Sequence, residues 1–202
     1  MEQSIQTQTN DTSLIVLESH LRECFGRVVY SHKAHEKSAD LRQRQGTSLK
    51  HGQIVLSALA TGTIIIVIFG DPSVSKVSAV ITAILSTILL VINTMTKDID
   101  YGKMAEQHKT AASKLWDIRE RYLSLLADIR ARVVTSDFVR QKRDELQKEL
   151  GAIYSESPRT TNKGYLEAQK GLKVNEELTF SDEEIDCFLP KPLKKTSNET
   201  NS

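Results

Sequence analysis

Residues 52–96 read GQIVLSALATGTIIIVIFG, then DPSVSK, then VSAVITAILSTILLVINTMT, and this three-part stretch decides the fold. Neither Gly52–Gly70 nor Val77–Thr96 contains an Asp, Glu, Lys or Arg, whereas the Asp71–Lys76 link is rich in turn formers. At about 1.5 Å of rise per residue, either apolar stretch made helical covers the ~30 Å hydrocarbon core of a bilayer. So short a link holds no domain, and the two helices must be neighbours running in opposite directions. The competing reading is a soluble bundle with one buried helical pair. Magnitudes decide against it. Ile54, Val55, Leu56, Leu59, Ile64, Ile65, Ile66, Val67, Ile68 and Phe69 each favour insertion by about 0.3–0.6 kcal/mol, while one central charge would cost about 2.5–3.5 kcal/mol. The expectation is a two-helix transmembrane hairpin with spans 52–70 and 77–96 and an outside loop at 71–76.

Basic residues set the orientation. Lys33, Lys37, Arg42, Arg44 and Lys50 precede the first span and Lys97, Lys103, Lys109 and Lys114 follow the second, with only Lys76 in the link. Positive flanks stay inside, so a multi-pass protein with both termini cytoplasmic is expected. Met1–Gln6 has neither a basic nor an apolar signal region, so the first span is expected to direct insertion.

The rest of the composition excludes several classes. A net charge of +1, with no basic stripe interleaved with aromatics, gives no reason to expect nucleic-acid binding. Cys24 and Cys187 lie far apart in arms expected to be cytosolic, which predicts free thiols rather than a disulfide. No glycine-rich phosphate loop, zinc-type cysteine pair or Ser/His/Asp constellation occurs. His32 and His35 supply at most two metal ligands, and the acidic run Asp182, Glu183, Glu184 and Asp186 complements a helix dipole. No catalytic residue, cofactor or metal is expected, and the chain is read as a non-enzyme.

Both flanks of the hairpin carry helical periodicity. Leu14, Leu17, Leu21, Cys24 and Val28 recur at three- and four-residue steps in a helix expected over 13–51. After the second span, Tyr101, His108, Leu115, Tyr122 and Ile129 repeat every seven residues, with Met104, Ala111, Ile118 and Leu125 three behind. An a/d seam of that length predicts coiled-coil-like pairing of a 97–134 helix with the antiparallel first arm. His35 and His108 fall on the seam and are most simply polar residues tolerated in a coiled coil.

A C-terminal helical module is expected over 135–190. Thr135-Ser136-Asp137 starts a short helix that Gly151 would stop, and Ser155–Gly171 reads as less regular. Ser181 and Glu184 form a capping box before Pro190 ends the segment. Residues 1–12 and 191–202 are expected to be disordered.

Within the spans, Ser78, Thr82, Ser86, Asn93 and Thr96 fall on one helical arc, interrupted by Leu89. Two readings stand open: the stripe bonds packed helices, or it lines a water-filled path in an oligomer. In the first span, Ser57 with Thr61 and Ala58 with Gly62 form small-xxx-small pairs suited to close helix packing. Two helices cannot enclose an aqueous path, so a pore requires several protomers.

The order of these features resembles the SLATT family of bacterial two-transmembrane effectors, associated with nucleotide synthases and nucleotide sensors. The resemblance rests on His32-Lys33-Ala34-His35-Glu36-Lys37, the tight hairpin at Gly70-Asp71-Pro72, Ala105-Glu106-Gln107-His108 with Leu115-Trp116, and Glu184–Pro190. It covers about residues 14–190. It implies an inner-membrane effector of bacterial conflict or antiviral defence that oligomerises into a pore in contact with lipid. Its trigger would be a linked nucleotide synthase or sensor protein, and the family supplies no catalytic residues to carry over. The alternative is a non-conducting membrane-anchored scaffold that recruits a cytosolic partner.

Overall fold

A computed structural model describes residues 2–97, 99–190 and 193–195, with side chains from Thr12 onward. Six helices follow one another: α1 (Glu2–Phe69), α2 (Pro72–Thr96), α3 (Tyr101–Arg130), α4 (Ser136–Glu156), α5 (Asn162–Lys173) and α6 (Asp182–Phe188). No strand occurs among the described residues. The fold is all-α, and two of its helical stretches are long and apolar enough to cross a membrane.

The first arm and the first span are one helix. Its 68 residues contain no proline and would extend about 100 Å. Because α1 begins at Glu2, residues 2–12 of the start expected to be disordered are instead the first turns of this helix, and residue 1 lies outside the described residues. No proline or glycine occurs before Gly26, so nothing in that segment breaks the helix that Leu14 and Leu17 anchor.

The link is shorter than expected. Asp71 caps α2 by accepting hydrogen bonds from the Ser73 backbone N–H (3.1 Å) and hydroxyl (2.8 Å). Pro72 takes the first helical position, where its missing N–H costs nothing. Pro72–Lys76, expected in the outside loop, therefore form the first turn of α2, and only Gly70 and Asp71 join the helices. A Cβ at Gly70 would collide with the Ile66 carbonyl, so the tight turn requires glycine.

The return limb is interrupted where the outbound limb is not. α2 ends at Thr96, and Asp100 restarts the chain as the N-cap of α3, accepting from the Lys103 N–H at 2.9 Å. Opposite this joint α1 continues through Gly46, where a Cβ would sit only 3.0 Å from Tyr101 Cβ. The helix expected over 97–134 is thus trimmed to Tyr101–Arg130 by capping at one end and by Arg132, at positive φ, beyond the other.

The main apolar core lies away from the hairpin. Leu17, Leu21, Cys24 and Val28 of α1 meet Leu115, Ile118, Tyr122, Leu125 and Ile129 of α3, with Val139, Leu146 and Ile153 of α4 closing the third side. Gly151 does not stop α4. Glycine costs about 1 kcal/mol in a helix interior, and burial of Ile153 one half-turn later outweighs it. The exit comes at Ser157, extended ahead of Pro158.

The stretch 155–171, expected to be less regular, holds most of α5. Its glycines are contact points: a Cβ at Gly164 would collide with Ser38 Oγ, so glycine lets α5 lie directly on α1. Ser181 and Glu184 form the capping box of α6, with bonds of 3.3 and 2.9 Å. Most of the tail expected to be disordered lies outside the described residues; Lys195, which is described, bonds Asp182 and Asp186.

Candidate functional site

In the hairpin, most of the large side chains point outward. Ile54 is 65% exposed and Val80 is 60% exposed, while only Ala60 and Ser78 are buried between the spans. The α1 residues turned toward α2 are Gln53, Leu56, Ala60, Thr63 and Val67; Ser75, Ser78, Thr82, Leu85, Leu89, Ile92 and Thr96 answer from α2. Steps of three and four residues on both helices mark one antiparallel seam, and small or hydroxyl-bearing residues on it allow close approach.

This seam divides the polar stripe of α2. Thr82 donates to Thr63 Oγ1 at 2.6 Å and also lies 2.8 Å from the Ser78 carbonyl. Ser78 is buried, and the half-buried Thr96 donates to the Ile92 carbonyl at 2.7 Å. Asn93 accepts from Gln53 at 2.9 Å at the exposed edge, and Ser86 is exposed. Thr82 and Asn93 thus bond α1, Ser78 and Thr96 lie on the seam, and of the five only Ser86 and Asn93 are exposed.

The small residues of α1 face away from α2. Ser57, Ala58, Thr61 and Gly62 are all exposed, and a Cβ on Gly62 would meet nothing within 4 Å. They lie on the side of α1 left open by the Leu56/Ala60/Thr63/Val67 seam.

Below the hairpin, His108, Ala111, Leu115, Ile118, Tyr122, Leu125 and Ile129 of α3 are buried, and Tyr101 and Met104 are half-buried. Where this seam crosses the polar run of α1, His35 Nδ1 and His108 Nδ1 lie 3.1 Å apart, one donating and the other accepting. Burial, then the neighbouring His108 and His32, hold the His35 imidazole down at about 4. Burial and nearby Arg42 lower His108 as well. His32 hydrogen-bonds through Nδ1 to the Ala112 carbonyl at 2.9 Å.

Beside the histidines is an ionic knot. Lys33 pairs with Glu36 at 2.9 Å and with Glu177 at 2.6 Å, and Lys37 pairs with the other Glu177 oxygen at 2.9 Å. Burial works against the Lys33 ammonium, but its bonds to Glu177 and Glu36 prevail and raise its pKa. The same bonds from Lys33 and Lys37 draw the Glu177 carboxyl down to about 2. Glu177 lies in the loop between α5 and α6, 140 residues from Lys37 in sequence, and no local pattern announces the pairing. The α1 run His32-Lys33-x-x-Glu36-Lys37 was the one legible signal, since its residues share a helical face.

Among the described residues no group of three His, Cys, Asp or Glu is placed to hold a metal ion. Cys24 is buried, Cys187 is exposed, and both are free thiols. What the geometry offers is a long helical hairpin with an outward-facing apolar end and a packed polar end.

Those features define a two-span, all-helical membrane protein. Residues 17–184 match the family described as SMODS and SLOG-associating 2TM effector domain family 4, and the chain belongs to that family. No curated protein and no solved structure matches the chain.

Proposed function

We propose that this protein is a membrane effector of a bacterial conflict or antiviral defence system, in which several copies assemble and permeabilise the inner membrane. Both termini lie in the cytoplasm, consistent with the basic flanks of the two spans. Activation comes from a nucleotide-signalling partner, a synthase or a sensor, in keeping with the association that the family's name records.

One observation carries the assembly step. A single hairpin encloses no aqueous path, yet it leaves two faces uncovered: Ser57, Ala58, Thr61 and Gly62 on α1, and Ser86 and Asn93 on α2. Small residues permit close packing of neighbouring helices in lipid, and exposed Ser and Asn side chains solvate water or bond across helices. In the assembled effector the α1 face packs copies together, and Asn93 and Ser86 line the path. Thr82 bonds Thr63 across the two helices of each copy, and Ser78 and Thr96 fill the seam beside it.

The test is membrane depolarisation and dye entry on induced expression in a bacterium, with and without the neighbouring open reading frame. Asn93→Leu with Ser86→Ala is expected to abolish depolarisation while insertion and assembly persist, and Thr82→Val is expected to retain it. Undiminished depolarisation in the double variant would remove the lining assignment. An inserted protein that never depolarises cells, with its neighbour active, would establish the non-conducting scaffold instead.

A further inference from the structure

Between α1 and α3, next to the ionic knot, lies an open cleft of about 610 Å³. Its α1 wall carries Lys33 and Lys37, and its α3 wall carries Lys109 and, two turns on, Trp116. The volume is in the usual range for a small-molecule site. Lys109 has no ion pair among the described residues, and the indole of Trp116, the only tryptophan in the chain, is half-exposed. The third side is closed by Glu177, whose two oxygens meet Lys33 and Lys37.

We infer that this cleft is a binding site for a nucleoside phosphate, with the chain's own Glu177 carboxylate occupying the phosphate position in the resting state. Ammonium groups serve as point charges for phosphate oxygens, and a flat base stacks on an indole face. The carboxylates of Glu36 and Asp40, also in the lining, suit the hydroxyl and amino donors that a nucleoside carries and inorganic phosphate lacks. With Glu177 in place the cleft holds three ammonium groups against three carboxylates; its departure leaves a positive balance for the incoming anion.

The loop is built to release. Glu176 and Leu178, on either side of Glu177, have φ of 52° and 90°, backbone that non-glycine residues rarely adopt. The Glu177 N–H bond to the Gly171 carbonyl (3.0 Å) and the Lys33 and Lys37 contacts share in holding that conformation, and a phosphate that takes both lysines removes the side-chain share. The source of phosphate is soluble. Lys37 precedes Gly52 by fifteen residues of continuous helix, about 22 Å, which is beyond a lipid headgroup at the end of the span.

The site can be tested on the full-length protein in nanodiscs, by Trp116 fluorescence and calorimetry, with ATP and inorganic tripolyphosphate as probes. ATP is expected to quench the single tryptophan saturably, and tripolyphosphate to bind at least about tenfold more weakly without quenching. Glu177→Gln, which removes the competing carboxylate, should tighten ATP binding by about three- to tenfold. Lys37→Ala and Lys109→Ala should each weaken it at least about tenfold, whereas the remote Lys142→Ala should not. Affinity should be the same with and without phosphatidylglycerol in the disc. Absence of heat and quenching in both wild type and Glu177→Gln would overturn the proposal, as would a Glu177→Gln variant that binds no tighter. Tripolyphosphate binding as well as ATP would overturn the nucleoside assignment, and loss of ATP binding in phosphatidylglycerol discs would place a lipid headgroup in the cleft. Binding is independent of whether the spans conduct, so the leakage assay and this titration can fail separately.

Discussion

The two ends of this molecule pack in opposite senses. In the polar end, large side chains are inside: Leu115 and Tyr122 are completely buried between α1, α3 and α4. In the apolar end, most large side chains are outside; the buried α1–α2 contacts are the small Ala60 and Ser78, and Leu56, Val67, Leu85, Leu89 and Ile92 are only half-buried beside them. The same α1 helix runs through both. The inversion reflects two solvents. Water drives Leu and Ile together, whereas lipid is as apolar as they are, leaving close packing and hydrogen bonds to hold helices to one another. A soluble core helix would bury Ile65 and expose Thr63; here Ile65 is exposed and Thr63 turns toward its partner.

The contrast is sharpest at Leu115. Leu115→Ala should destabilise the polar end by about 2–5 kcal/mol, the cost of a cavity in a closely packed core. Thermal unfolding of the detergent-solubilised protein, followed by circular dichroism, reads the loss.

Acid is expected to act next most strongly, again only at the polar end. His35 and His108 are held neutral in the folded state, so below the ordinary imidazole value the unfolded chain binds more protons. Stability should therefore fall by on the order of 1–3 kcal/mol as pH drops from about 6.5 toward 4, and fall further toward pH 2 as the Glu177 carboxylate takes up a proton. Denaturation between pH 7.5 and 4 measures the slope, and His35→Gln should flatten it.

A smaller effect is expected in the spans. Thr82→Val removes the bond to Thr63, worth about 0.6 kcal/mol between membrane helices. Steric trapping or reversible unfolding in mixed micelles can resolve a difference of that size. Ile65→Ala should change the contact between the spans least of all, because its side chain is exposed rather than on the α1–α2 seam; the same assay should give a value within about 0.5 kcal/mol of wild type. A cost comparable to that of Leu115→Ala would mean that the apolar end is packed like the polar one.

The sequence made the fold legible where a single periodicity governs. The uncharged stretches identified the hairpin, and the seven-residue repeat from Tyr101 to Ile129 coincides with the α3 face turned to α1. Sequence reasoning went astray where local signals met tertiary ones. Gly151 reads as a helix stop and Ser155–Gly171 as less regular, but Gly151, Gly164 and Gly171 all lie inside helices, Gly164 where α5 approaches Ser38 closely. Pro72 read as part of a loop and is instead the first residue of a capped helix. Hydroxyl spacing grouped Ser78, Thr82, Ser86, Asn93 and Thr96, yet could not divide them between the seam and the surface, because that depends on the rotation of α2 against α1. The Glu177 pairing was illegible for a different reason. It joins a loop to a helix across most of the chain, and no period connects them.

The central claim is that one helical hairpin bridges two solvents, and spin labels report solvent directly. Labels at Ile65 and Val80 in the apolar end, and at Leu123 in the polar end, can be compared in nanodiscs by their relaxation with dissolved oxygen and with a water-soluble nickel chelate. Oxygen should dominate at 65 and 80, and the nickel chelate at 123. Strong nickel relaxation at 65 and 80 would put those faces in water and contradict the account.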